Sequence, residues 1–318
     1  MPKENFYEFL SDNAGVLISA LVLPIIFFVI NRTTRSGIVA RGTFREIVRQ
    51  PVFLLVVCGA ALLTLLNLFV PFFAFKDETK MFIDVTLSTI LVAGLLLGVW
   101  SAATSISEEV EGRTAMTLLS KPILRWQFIL GKYLGIAQAN FAALLLMTAV
   151  ALPATYFKYG YDKKETGGGR VDLVEMVQVG NVAVPWVQED RFETAVQIIP
   201  GLALVYLQVA VMSAVAVTLS TRLPMLVNLV TCFAIYVVGH LMPQLTASRQ
   251  EGAEFVQFIA KVFASVLPAL DAYDTSAAVA TGTTIKWEYI QVAGLYSICY
   301  IAIAMLLAFI LFEDHDLA

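Results

Sequence analysis

Few side chains in this chain are equipped for catalysis, and they are scattered. Soft ligands and nucleophiles are limited to two histidines, His240 and His315, and three cysteines, Cys58, Cys232 and Cys299. No Cys-x-x-Cys or Cys/His spacing joins them, so the cysteines read as small residues within apolar runs. Neither His-Glu-x-x-His nor Gly-x-Ser-x-Gly occurs, which leaves hydrolase chemistry without a basis. The single Gly-Lys pair, Gly131-Lys132, has Trp126 where a phosphate-binding loop needs glycine and Tyr133 where it needs Ser or Thr. The chain is therefore expected to be no enzyme and to hold no metal or cofactor of its own. His240, near Met242, admits a metal-handling reading, but an interfacial histidine with a hydrogen-bond partner outweighs it. Asp84 sits near one end of an apolar run, and Asn67, Asn140, Gln208 and Asn228 fall at membrane depth, where interhelical hydrogen bonds explain them better than an ion pathway does.

Chemistry of another kind, docking, concentrates in residues 107–132, SEEVEGRTAMTLLSKPILRWQFILGK. Glu108, Glu109 and Glu111 are followed by Arg113, Lys121 and Arg125, and Glu109 and Arg113 have the spacing of a helical ion pair. Ser105 to Glu108 fits a capping box, and a continuous helix fits as well. Among these charges stand Met116, Leu118, Leu119, Ile123, Leu124, Trp126 and Phe128. They are too apolar to leave in water without cost and too interrupted by charge to enter lipid, so a partner should cover them. Pro122 disfavours helical geometry at Lys121, so one short helix would end there and another could start beyond it.

The run Ile-Ser-Glu-Glu-Val-Glu-Gly-Arg-Thr, then Leu-Leu-Ser-Lys-Pro-Ile, then Arg125 to Phe128 and Gly131-Lys132-Tyr133, resembles the cytoplasmic loop of type-2 ABC transporter permeases, closest to those associated with multi-copper enzyme maturation. The resemblance covers about residues 38–318, with the loop as its specific part. It implies an all-α polytopic membrane protein, with a six-helix type-2 permease core in residues 37–318 and an extra N-terminal transmembrane segment in residues 1–36. It implies that residues 106–128 couple to a separate cytoplasmic ATPase subunit, which would bind ATP and Mg. Glu108, Glu109, Glu111 and Arg113 would then supply polar docking, and Leu118, Leu119, Ile123 and Trp126 the buried patch, with Lys121, Pro122 and Arg125 in the same coupling loop. A homodimer or a pairing with a sister permease, a bacterial inner (plasma) membrane and an exporter's role are family expectations, and no nucleic acid is implied. A membrane scaffold that recruits a partner without transporting, or a secondary transporter, would satisfy the same sequence less fully.

The elements that would position this loop are legible from hydropathy. With 58% hydrophobic and 14% charged residues and a mean hydropathy of +0.78, the chain of 318 residues lies outside the range of soluble domains. Apolar segments fall at about residues 15–30, 52–75, 82–105, 128–157, 195–219, 225–242 and 289–312, which are read as seven spans. The first has an acidic flank before it and arginines after it, Arg32, Arg35, Arg41, Arg45 and Arg49, which suits a retained span with its N-terminus outside rather than a signal peptide. Within residues 37–51, Ala40, Phe44, Ile47 and Val48 recur at helical spacing beside Arg41, Arg45 and Arg49. That predicts an interfacial elbow helix whose arginines reach lipid phosphates, a solvated basic linker being the weaker reading. KDETK, at residues 76–80, reads as a tight turn. Residues 158–195 read as an external loop with a flexible triple glycine and either a small strand pair or an irregular loop. Residues 247–288 read as an external segment with an interfacial helix over residues 251–267.

Overall fold

The computed structural model describes residues 2–70, 78–107, 124–165, 173–179, 182–247, 267–283 and 285–313. Nearly all of them are helical. In chain order the helices are α1 (Pro2–Thr33), α2 (Arg35–Arg49), α3 (Pro51–Asn67), α4 (Glu78–Ala102), α5 (Arg125–Glu165), α6 (Glu189–Val196), α7 (Ile198–Ser220), α8 (Met225–Ala247), α9 (Ser276–Thr281) and α10 (Trp287–Glu313). A π-helical turn, Ala103–Ser107, continues α4, and a short 3-10 turn, Leu270–Tyr273, precedes α9.

Among the described residues, five helical stretches are long and apolar enough to cross a membrane, and α2 with α3, bent by 62° at their junction, would make a sixth. The seventh expected span is α8, whose apolar part Met225–Leu241 is shorter than the others. The bend has a local cause. Gln50 leaves the helical region and Pro51 takes the first position of α3, where its missing N–H costs nothing; at its other end α2 is capped by Thr34, which accepts the Gly37 amide at 2.9 Å.

The centre of the bundle is α7, whose spanning window is 78% buried. It packs against α4, α5, α8 and α10. Ile90 and Leu97 of α4, Ile136 and Ala143 of α5, and Ala214 and Val217 of α7 make the dry interior. Polar side chains at membrane depth find partners there, as burial in apolar surroundings demands. Asn140 donates to Ser213 Oγ at 3.0 Å, and Asn228 donates to Ser220 Oγ at 2.6 Å. His240 Nδ1 lies 3.1 Å from the Tyr236 carbonyl, so Nδ1 carries the proton and Nε2 is left to accept from Gln208 at 3.5 Å. Asn67 ends α3, where its carbonyl accepts the Val70 amide.

Several boundaries differ from the sequence reading. α1 is a single helix from Pro2, so its apolar stretch continues an already helical polar segment, with a candidate span of Ala14–Thr33. The last residues of KDETK are the first turn of α4 and not a loop. Of the segment read as an external loop, residues 158–165 extend α5 and Glu189–Val196 forms α6. Between them β1 (Val174–Val179) and β2 (Val182–Val187) pair antiparallel, with Val174 opposite Val187. The helix expected over residues 251–267 lies, apart from Leu267, outside the described residues.

Candidate functional site

The expected docking segment lies in sequence between two helices, α4 and α5, that pack against each other. α4 leaves the bundle through the π turn Ala103–Ser107, in which Ala103, Ser105 and Ile106 are buried, and the turn packs against α7 and α8. Thr104 Oγ1 donates back to the Trp100 carbonyl at 3.0 Å. Helical structure thus runs to residue 107, which favours the continuous-helix alternative over a capping box at Ser105. Single π turns concentrate at functional positions because they shift the helix register and re-aim the chain beyond them. Glu108, Glu109, Glu111, Arg113, Leu118, Leu119, Lys121, Pro122 and Ile123 lie outside the described residues.

The chain re-enters the bundle at Leu124. Gln127, three residues on, accepts the Leu124 amide through Oε1 at 3.3 Å, and Leu124 O receives the amides of Gln127 and Phe128. This is the reciprocal half of a capping box, a start signal the sequence reading passed over. Leu124 is 56% and Trp126 46% exposed, and Arg125 is exposed beside them. Of the expected docking residues that are described, Arg125 and Trp126 thus stand exposed at the start of α5.

Behind them the structure places a group the sequence reading did not select. Lys132 is 3% exposed, its ammonium 5.6 Å above the Phe128 ring and 3.9 Å from Glu46 Oε2 on α2. Phe128 in turn stacks on Phe312 of α10, with ring centroids 6.1 Å apart. One buried cation therefore connects the start of α5, the elbow and the end of α10. Its signal was Phe128 and Lys132 four apart on one helical face.

The elbow helix is held tightly. Gly131 and Gly135 of α5 face Ser36, Val39, Ala40 and Thr43 of α2, and a Cβ at Gly131 would lie 2.7 Å from the Ser36 carbonyl oxygen. Glycines one turn apart let two backbones approach, so α2 rides directly on α5. Ala40 and Ile47 are buried as expected, whereas Val48 is exposed. Arg45 and Arg49 are exposed, as contact with lipid phosphate would need. Arg41, expected on the lipid-facing side with them, is half-buried, and its Nη2 donates to the Asn31 carbonyl at 2.6 Å. Its side chain closes the end of α1, where helix carbonyls lack partners and cations are favoured. Asn31 also exchanges two amide hydrogen bonds with Gln138 of α5, at 2.9 and 3.2 Å. Phe27, Phe141 and Tyr206 extend that link by edge-to-face contacts into α7.

At the far end of the bundle a second polar group was also missed. Lys158 pairs with Glu78 at 3.1 Å and Thr79 donates to Asp162 at 2.8 Å. Arg191 of α6 lies over the Tyr156 ring and against Gly160, where a Cβ would overlap the guanidinium. Lys158 and Asp162 lie four apart, but the sequence reading ended the fourth span before them. Asp84, lower on α4, is half-buried with no hydrogen-bond or ion-pair partner among the described residues. Among those residues, no group of three or more His, Cys, Asp or Glu could hold a metal ion.

A family model described as ABC-2 family transporter protein matches residues 37–317. No curated protein matches the chain.

Proposed function

The chain belongs to the ABC-2 family of transporter proteins, and on that premise we propose that it is an exporter's permease subunit, driven by ATP hydrolysis in a separate cytoplasmic subunit. The observation that supports this reading is where the two helices that flank the expected docking segment lie. Residues 108–123 connect α4 to α5, both helices pack on the central α7, and the apolar Leu124 and Trp126 at the exit are uncovered. A ligand-driven change needs a contact that differs between two states. Here such a contact would push on the π turn and on the start of α5 together.

In this reading Glu108, Glu109, Glu111, Arg113, Lys121 and Arg125 supply polar docking, while Leu118, Leu119, Pro122, Ile123 and Trp126 fill a pocket of the ATPase. ATP and Mg are held by that subunit. A homodimer, or a pair with a sister permease, encloses the path, and Arg45 and Arg49 meet lipid phosphates at the cytoplasmic face of a bacterial inner membrane. Kinship with permeases of multi-copper enzyme maturation rests on the loop pattern.

Co-purification with the ATPase and measurement of its turnover test the assignment. Reversal of Glu109 and Glu111 to lysine should abolish stimulation of hydrolysis by the permease while leaving the permease folded. Unchanged stimulation would refute the role given to the loop. Orientation is tested separately by a cysteine in place of Gly168, which an impermeant reagent should label in intact cells.

A further inference from the structure

We propose that the part of α5 beyond Pro153 is a hinged gate at the end of the bundle opposite the turn Ala103–Ser107 and the start of α5, clamped shut by Lys158–Glu78 and Asp162–Thr79. This goes beyond the coupling reading and does not depend on it. Three observations support it.

The first is a hinge. Pro153 lies inside α5 and has no N–H for the Ala149 carbonyl, so the ladder is broken there and bending is cheap. The second is the change in what holds α5 to α4. Below the proline, packing of the Ile90 and Ala143 kind joins the core, whereas above it the contacts turn polar. Lys158 Nζ meets Glu78 Oε2 at 3.1 Å and the Val70 carbonyl at 3.4 Å, which ties α5 to α4 and to the end of α3. Thr79 adds its 2.8 Å bond to Asp162 one turn further along. Lys158, 1% exposed, lies about two turns before the helix end at Glu165. Such polar partners can be exchanged for water on opening, which a dry apolar contact cannot do without cost.

The third is a second handle. Arg191 seats its guanidinium against Gly160 and donates to the Tyr156 carbonyl at 3.3 Å. Since Arg191 belongs to α6, which leads into the central α7, the same stretch of α5 is gripped from both sides. A segment with a proline break at its base and two polar grips is a two-position element. The closed position is the one seen.

The test uses the full chain in detergent, where both ends are open to reagent whichever way the protein lies in a membrane. Cys58, Cys232 and Cys299 are replaced by alanine, and Ile83→Cys, one turn below Thr79 and buried, reports by its rate of reaction with a bulky impermeant maleimide. Glu78→Gln and Lys158→Met should each speed labelling at least tenfold. The exchanged pair Glu78→Lys with Lys158→Glu should return to within threefold of the starting rate. Rates unchanged in both single variants, or no recovery in the exchanged pair, would overturn the proposal. So would an equal acceleration at Ala214→Cys in the middle of the bundle, since that reports general loosening. Should Lys158→Met fail to fold, Thr79→Val decides, with faster labelling in support and an unchanged rate against.

Discussion

Replacing Gly131 by alanine puts the seat of the elbow helix under direct strain. The added Cβ would stand 2.6 Å from Val39 Cβ and 2.7 Å from the Ser36 carbonyl oxygen, where ordinary contacts are 3.4–4 Å. Ser36 presents backbone, so relief requires α2 itself to back away from α5. Overpacking of this kind costs about 1–3 kcal/mol, against which alanine gains about 0.5–1 kcal/mol over glycine within a helix. The net expectation ranges from about zero to a loss of about 2.5 kcal/mol. Gly42 supplies the control, because it lies in α2 with nothing within 4 Å of a new Cβ. Gly42→Ala should therefore stabilise by about 0.5–1 kcal/mol. Thermal unfolding can be followed in detergent through reaction of buried Cys232 with a thiol dye, with exposed Cys58 and Cys299 replaced by alanine. A midpoint that rises for Gly131→Ala as it does for Gly42→Ala would show that α2 does not ride on α5, and the account of the elbow would fall.

Other expectations rest on the same contacts. A double-mutant cycle on Asn31→Ala and Gln138→Ala should give a coupling of about 0.6 kcal/mol, and at most about 1.7, read from the unfolding midpoint; zero coupling would remove the amide pair as the tie between α1 and α5. Arg41→Ala should increase protease or hydrogen-exchange access at the end of α1, whereas Arg45→Ala should instead weaken binding to anionic vesicles. Tyr273, in the turn before α9, is buried and bonded to Ser297 at 2.7 Å, and burial pushes its phenol from 10.0 up to about 12. Its contribution to stability is complete below pH 10 and is lost as pH rises toward 12, so Tyr273→Phe should flatten the fall in stability across that window.

Legibility differed between elements for physical reasons. Long apolar runs announced α4, α5, α7 and α10, because hydrocarbon excludes charge over a length that loops and soluble helices do not sustain. The strand pair was visible as one of two alternatives from alternation alone. The end of α5 was not, since polar residues such as Lys158 and Asp162 look like loop until a facing helix supplies Glu78 and Thr79. The bond from Arg41 to α1 was hidden for a similar reason. The spacing of Arg41 with Arg45 and Arg49 marks a face, but the Asn31 carbonyl that captures it comes from the preceding helix, which turns back beside it.

The amino-acid order alone thus determined that the chain is a helical membrane protein and that its concentrated charge, leucines and Trp126 fall in one stretch between two apolar runs, since both properties are local sums along the chain. Only the tertiary structure decided which polar residues are committed. Lys132, Arg41, Lys158 and Asn31 each acquire their role from a partner on another helix, and such partners are set by which backbones approach closely enough to meet.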